Sequence, residues 1–481
     1  MRALSKKYGC WIVAGIGFII LFLYFYCALP YHLYHREQTQ LFICSWNTVA
    51  GYMHASGGLS AFLGDFLTQF FYYQGMGPFI LSILLLLLGV VVYRLLVPYL
   101  KGWTWVAVIL VVCWETGRES GLNYPLSGTI ALVGLGTTLC ICRNLYKCFT
   151  RLDRLYALMM LVAGFVLFGA GEWKLRYCLP DFGREKLLRM DCETYFGRHN
   201  EMEQYFQEED FRTSFATYYY NLANARRGVL PERLMTYYQP ATLGLFLPVD
   251  SSSNYMKIYA ANEVWFALGD MTMAEHAAIL GMIFSPRHVG TRALKRLAEI
   301  NLVNGDDQAA LKYLRILKKT ICHHSWAEKR MPGKESENVR KWLELKREML
   351  PQNDTLRYAA DAQLSLRHLL ESNRENRMAL DYLLCFDLLE KNISAFVDDY
   401  RRYAADRPPT GVYAEALLIY LASIEASSDE VKRWKIPASK VRDFNEYTEI
   451  YRMNQGNGTM LQPKFGKTYW FYFHFAVMKK Q

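Results

Sequence analysis

From residue 10 to residue 29 the chain runs without a charge, and most of the side chains are apolar. A helix of that length rises about 30 Å, which matches the hydrocarbon core of a bilayer. Arg2, Lys6 and Lys7 precede the run. A secretory signal would have a shorter apolar region, roughly 7–15 residues, and a small-residue cleavage site. The exit here reads Tyr24-Phe25-Tyr26-Cys27-Ala28-Leu29-Pro30, so the run is expected to remain as an uncleaved anchor.

Four further apolar runs lie at 79–97, 103–114, 126–142 and 155–171. Together they predict a transmembrane bundle of about five spans over residues 1–177. The run at 103–114 is short. The one at 126–142 is rich in Gly and Thr, which suits close approach of helices in lipid. Basic residues mark one side of the membrane. They are Arg2, Lys6 and Lys7, then Arg94 and Lys101, then Arg143, Lys147, Arg151 and Arg154. With five spans all three groups share a side, and the positive-inside rule makes it cytoplasmic. The expected location is a bacterial inner membrane with the N-terminus cytoplasmic and the C-terminal part periplasmic.

Between the first two runs, residues 57–73 carry apolar side chains at 59, 62, 63, 66, 67, 70 and 71. That spacing is one face of a helix. Ser60, Asp65, Thr68 and Gln69 occupy the other face. Such a helix either lies flat at the outer interface or packs against the spans. Interfacial helices usually have a basic polar face, and this one has no Lys or Arg.

The charge balance changes sharply along the chain. Up to residue 177 there are 13 Lys/Arg and six Asp/Glu; beyond it there are 42 and 39. The excess positive charge therefore sits between apolar runs, and a nucleic-acid-binding patch is not indicated.

Residues 178–481 read as helix after helix. Three hairpins align on a turn glycine: 218–225 with 231–238 about Gly228, 258–268 with the following helix about Gly269, and 294–303 with the following helix about Gly305. The step from Gly269 to Gly305 is 36 residues, and Ala274 and Ala310 each lie five residues after their glycine. This resembles the tetratricopeptide repeat, a 34-residue helix–turn–helix unit. The expected fold class is all-α, a membrane bundle followed by an α-solenoid with a concave surface. Later helices are read at 339–349, 377–390, 393–404 and 412–426, with Asp354 or Thr355 capping the helix after Pro351. The aromatic string Thr468-Tyr469-Trp470-Phe471-Tyr472-Phe473-His474-Phe475 reads as a segment that closes the end of the solenoid, or as a membrane-surface contact.

Several local strings, taken together, are similar to an uncharacterised family of multi-pass membrane proteins from Bacteroides-type bacteria. They are Gly57-Gly58-Leu59 running into Phe66-Leu67-Thr68-Gln69-Phe70-Phe71, then Tyr220-Asn221-Leu222-Ala223, Glu275-His276-Ala277-Ala278, Leu297-Ala298-Glu299-Ile300-Asn301 and Lys312-Tyr313-Leu314. The resemblance implies an inner-membrane protein with an extracytoplasmic helical domain, and it carries over no catalytic residue.

The residues best placed for chemistry are Asp65, Glu115, Arg118, Glu119 and Glu172, which collect at the outer mouth of the expected bundle. Arg118 follows Glu115 by three positions and can pair with it on a helix. Charges at span ends also simply stop a helix in the headgroups. Cys322-His323-His324 lacks a second ligand pair nearby, so no metal site is expected. Cys178 and Cys192 are the cysteines close enough in sequence to invite a disulfide outside the membrane. No cofactor motif is present. Two functions follow as expectations. The first is a membrane-anchored scaffold that lies in the lipid bilayer and binds a protein or peptide on its repeat face. The second is an envelope enzyme or transporter subunit, for example glycosyltransferase-like, acting on a lipid-linked or polar substrate at the mouth.

Overall fold

The structure, a computed structural model, describes residues 2–55, 57–146, 180–198, 202, 205–206, 212–249, 255–352 and 361–477. These residues are helical or irregular, with no strand among them. In chain order the first helices are α1 Arg2–Leu23, α2 Pro30–Gln38, α3 Trp46–Met53, α4 Gly58–Thr68, α5 Met76–Leu100, α6 Thr104–Glu119, α7 Leu126–Tyr146 and α8 Phe182–Tyr195. There follow α9 Ser214–Arg226, α10 Leu230–Arg233, α11 Tyr255–Leu268, α12 Met271–Phe284, α13 Thr291–Asn304, α14 Asp307–Leu317, α15 His324–Glu328 and α16 Glu337–Arg347. The last are α17 Ala362–Ser372, α18 Arg377–Leu389, α19 Ile393–Tyr403, α20 Gly411–Ser423, α21 Ser428–Arg433, α22 Ala438–Met453, α23 Gln462–Phe465 and α24 Tyr469–Phe475.

The chain forms two compact units, whose boundaries differ from a single cut at 177. The first takes residues 1–192 and two later segments, 285–298 and 308–335. The second takes 193–284, 299–307 and 336–481. The division crosses the hairpin of α13 and α14.

In the first unit, five spans are not supported. Among the described residues two helices are long and apolar enough to cross a membrane, Met76–Leu100 and Leu126–Asn144. A third qualifies if Ile12–Ala28 and Pro30–Gln38, bent by 73° at their junction, count as one. The bend is local chemistry: Tyr24–Ala28 is a π-helical turn, and Pro30 can open a helix but cannot continue one. The expected span at 103–114 became α6, whose 16 residues rise only about 24 Å and end in charge. The run at 155–171 lies outside the described residues. The core of this unit gathers Phe25, Leu33, Phe71, Leu81, Leu85 and Leu126, all essentially buried. Outside it, Ile12, Ile19, Ile20, Leu87, Ile109, Leu110 and Leu135 are exposed.

The helix at 57–73 forms as α4 and a 3-10 turn, and both of its faces meet protein: on the apolar face Phe71 is buried and Phe62, Phe66, Leu67 and Phe70 are half-buried. Asp65, Thr68 and Gln69, from the polar face, are buried. Leu59 and Leu63, from the apolar face, are exposed.

In the second unit, α11 and α12 make the expected hairpin. Gly269 turns it with φ +89°, and a Cβ there would lie 2.6 Å from the Met349 carbonyl oxygen, so glycine is required on both counts. The hairpin about Gly228 is different. Its second helix stops at Arg233, gives way to a 3-10 turn, and continues as extended chain from Tyr237. Side-chain amides hold that irregular course: Asn221 donates to Gln239 Oε1 and to the Gly244 carbonyl, and Gln239 donates to the Leu234 carbonyl. The first of the expected hairpins is therefore not a pair of regular helices. Later helices open on side-chain caps: Asp361 for α17, Asn376 for α18 and Asn392 for α19. Asp354 and Thr355 lie outside the described residues. The aromatic C-terminus docks as α24. Tyr469 donates its backbone N–H to Glu415 Oε2 (2.6 Å), and Trp470 donates Nε1–H to the Glu415 carbonyl (2.9 Å).

Candidate functional site

The first unit encloses a polar cluster built by α2, α6 and α7. The α2 sequence Pro30-Tyr31-His32-Leu33-Tyr34-His35-Arg36-Glu37-Gln38 is hydrophilic, yet His32, His35, Arg36, Glu37 and Gln38 are all buried. Buried charges persist only when paired and hydrogen-bonded. Arg36 Nη1 donates to Glu119 Oε2 at 2.8 Å, and its guanidinium lies 5.5 Å from the Phe71 ring. Glu115 accepts from Tyr124 (2.9 Å) and from Arg118 (3.3 Å), which stacks on Trp114 and Tyr124. Thr129 Oγ1 lies 2.6 Å from Glu115 Oε1 and 2.5 Å from Glu119 Oε1. A hydroxyl has one proton to give, so it serves one of the two acids at a time.

Glu115, Arg118 and Glu119 are thus brought together as the spacing predicts. Asp65 has its own partners, the Tyr52 hydroxyl and Arg287 Nη1, each at 2.5 Å. Glu172 and Cys178 lie outside the described residues, and with Cys178 the expected Cys178–Cys192 pair; Cys192 is buried. Glu37, which with Asp65 is an acid of the first loop in the sequence, is buried against His323 Nε2 (2.6 Å) and Thr291 Oγ1 (3.0 Å). The chamber beside that pair has only about 10 Å³, room for one water. Cys322 donates Sγ–H to the Gln69 carbonyl, and His324 is exposed. Among the described residues no group of three or more His, Cys, Asp and Glu is arranged to hold a metal ion. Arg36 and Glu37 were missed because their partners lie 83 and 286 residues away. The one local signal is a hydrophilic helix entering directly from an apolar run.

The second unit contains a carboxyl pair on α18 and α19. Arg367 grips Asp399 Oδ2 through Nη2 (2.8 Å) and Nε (3.0 Å). Asp387 is fully buried, accepts from Gln363 and faces the Asp399 carboxylate, to which a protonated Asp387 can donate. Burial, and then the charge of Asp399, hold the Asp387 pKa well above the usual carboxylate range. An unfolded Asp loses its proton near pH 4. Above that pH the folded chain keeps a proton that the unfolded chain has lost. Stability therefore falls as the pH rises, until the folded carboxyl itself ionises. The thermal midpoint of wild type should drop between about pH 5 and about pH 8 relative to that of Asp387→Asn, which has no proton to lose. Parallel midpoints in the two proteins would show that Asp387 is not held protonated.

The same unit has an open cleft of about 490 Å³, within the usual size range of ligand sites. One wall is the extended segment with Tyr237, Tyr238, Gln239 and Pro240; the other is α24, through Phe471, Tyr472 and Phe475. Ser214, Met235 and Thr468 are also in the lining. Among the described lining residues none is charged, and Lys391 reaches the edge, its Nζ bonded to the Ala476 carbonyl (2.6 Å) and 5.7 Å from the Tyr472 ring. Gln239 and Tyr472 are already engaged: Tyr472 donates its hydroxyl to the Leu389 carbonyl.

Among the described residues, fold and site together define an all-helical protein with two or three helices long and apolar enough to span a membrane and a second helical unit with an aromatic cleft. The chain belongs to a family described as "Family of unknown function (DUF6057)", matched over residues 5–179 and 170–476. No curated protein and no solved structure matches it.

Proposed function

We propose that this chain is a multi-pass membrane protein that anchors a helical binding domain and captures an extended, uncharged peptide segment in the aromatic cleft. The observation that carries the reading is the cleft itself: open, of ligand size, and lined among the described residues by tyrosine, phenylalanine and uncharged side chains, with Lys391 at its edge. Extended proline-containing segments dock in such aromatic-lined grooves at low entropic cost. The paired helices of the second unit then act as a solenoid of the tetratricopeptide-like type, displayed in the periplasm of a bacterial envelope.

The layout is argued from charge. Keeping the basic residues near 94–101 and 143–154 on the cytoplasmic side needs the short α6 to return the chain, and a periplasmic second unit needs the apolar run at 155–171 to cross once more. The packing of α6 along α5 supports its return: a Cβ on Gly89 would meet Val108 and Val112 at 3.4–3.5 Å, the close approach that small residues permit. The enzyme reading finds less support. Asp65, Glu115 and Glu119 are spent on partners within the protein, and the chamber near Glu37 admits no substrate.

The test is binding of capped, uncharged proline- and leucine-containing decapeptides to the full chain in nanodiscs. Tyr238→Ala and Phe471→Ala should each weaken binding by roughly tenfold or more, as truncated aromatic anchors do. Asp65→Asn should leave it unchanged. Equal affinity in wild type and both cleft variants, or no binding at all, refutes the reading.

A further inference from the structure

From Gln38 to Tyr93 the only charged side chain is Asp65. The middle of this stretch folds as a hairpin of α3 and α4. Its corner is closed: Gly57 has φ +74°, and a Cβ on Gly58 would lie 1.7 Å from the Tyr52 carbonyl oxygen. The underside is seated by aromatic packing. Phe42 meets Phe62 at 5.5 Å and Phe66 at 5.6 Å between ring centroids, and Tyr52 meets Phe62 at 5.7 Å. The one charge, Asp65, is directed inward to Tyr52 and Arg287.

The outer side is the reverse of what water demands. Trp46 is 87% exposed, Leu59 62% and Met53 54%, while Thr68 and Gln69 are buried. Trp46 and Met53 lie seven positions apart and so share a face of α3; Leu59 and Leu63 lie four apart and share a face of α4. Protein-docking surfaces have a polar, commonly charged rim. Here the neighbours along the chain are Ser45, Asn47, His54 and Ser60, and the Lys319 carbonyl accepts from the Cys44 N–H. The chargeless stretch runs on into α5, one of the two helices long and apolar enough to span among the described residues.

We propose that the α3–α4 hairpin inserts its Trp46–Met53–Leu59 face into the bilayer at the headgroup–acyl boundary, as a second, non-spanning contact with lipid. Tryptophan favours that depth. The inserted face has no basic residue, so insertion depends on apolar burial and not on anionic headgroups. It is insensitive to lipid charge and to salt. The inference rests on the membrane reading of α5 and α7, and it is independent of the peptide cleft.

The experiment uses the full chain in phosphatidylcholine nanodiscs. The difference in emission between wild type and Trp46→Phe isolates Trp46. In lipid brominated near the headgroup this contribution should be blue-shifted and lose most of its intensity. Aqueous iodide should leave it intact, and added phosphatidylglycerol should not change it. A red-shifted, iodide-quenched Trp46 overturns the proposal in favour of a water-facing hairpin. A Trp46 that neither quencher reaches overturns it in favour of cover by protein or a second copy. A chain that does not enter nanodiscs at all overturns the membrane reading itself, and the hairpin proposal with it.

Discussion

Replacing Arg36 with Met is expected to lower stability by about 3–5 kcal/mol, because it leaves Glu119 as a buried charge without its cation. Glu119 is fully buried, and Arg36 is almost so. The remaining partner of that carboxylate, Thr129, must also serve Glu115. In a unit of this size the loss corresponds to a drop in thermal midpoint on the order of 10 °C, read by near-ultraviolet circular dichroism in nanodiscs. The double variant Arg36→Met/Glu119→Gln should recover most of it, because a buried pair is worth far less against neutral partners than a broken pair costs. A single variant as stable as wild type would mean that Glu119 reaches water. A double variant no better than the single would mean that Arg36 acts through its packing on Phe71 and not through charge.

That prediction depends on contacts no local pattern announces. Part of the helix content was legible. The apolar runs at 79–97 and 126–142, the glycine turns at 269 and 305, and the helices near 339–349, 377–390, 393–404 and 412–426 follow from periodicity and punctuation, whereas Ala438–Met453, with sparser apolar spacing, was not legible. The i, i+3 pair of Glu115 and Arg118 was legible for the same reason, since helix geometry alone places them together. What was not legible is how α2 is used. A nine-residue hydrophilic helix reads as a solvated surface, and only tertiary structure reveals that it supplies Arg36, Glu37 and Gln38 to three separate buried partners. The same limit applies to α4. Its spacing gives two faces, but spacing has no means of saying that both meet protein. The cleft was half legible. The aromatic C-terminus announces a docking segment, whereas its opposite wall exists because the helix expected to reach Tyr238 ends at Arg233 and releases extended chain.

The second large effect is expected at Trp470, which joins that cleft wall to the core. Trp470 is 1% exposed and lies among Phe444, Tyr447 and Phe465 at ring-centroid distances of 5.3, 5.7 and 6.2 Å. Trp470→Ala should cost about 3–5 kcal/mol from lost burial and the cavity left behind. The cost falls on a helix unable to stand alone: α24 has seven residues, and isolated helices that short do not persist in water. Losing its anchor should therefore release the whole segment, with Phe471, Tyr472 and Phe475 leaving the cleft together. Hydrogen–deuterium exchange should show the backbone amides of 469–475 losing protection while α18 and α19 keep theirs, and decapeptide binding should vanish with the wall. Trp470→Phe keeps the ring in place but gives up the hydrogen bond to the Glu415 carbonyl. It should retain both protection and binding at reduced stability. If Trp470→Ala keeps 469–475 protected, then Tyr469 and its bonds to Glu415 and to the Leu388 carbonyl (2.9 Å) are the true anchor. The destabilising burden should then move to Glu415→Gln, which weakens the acceptor that Tyr469 and Lys440 share.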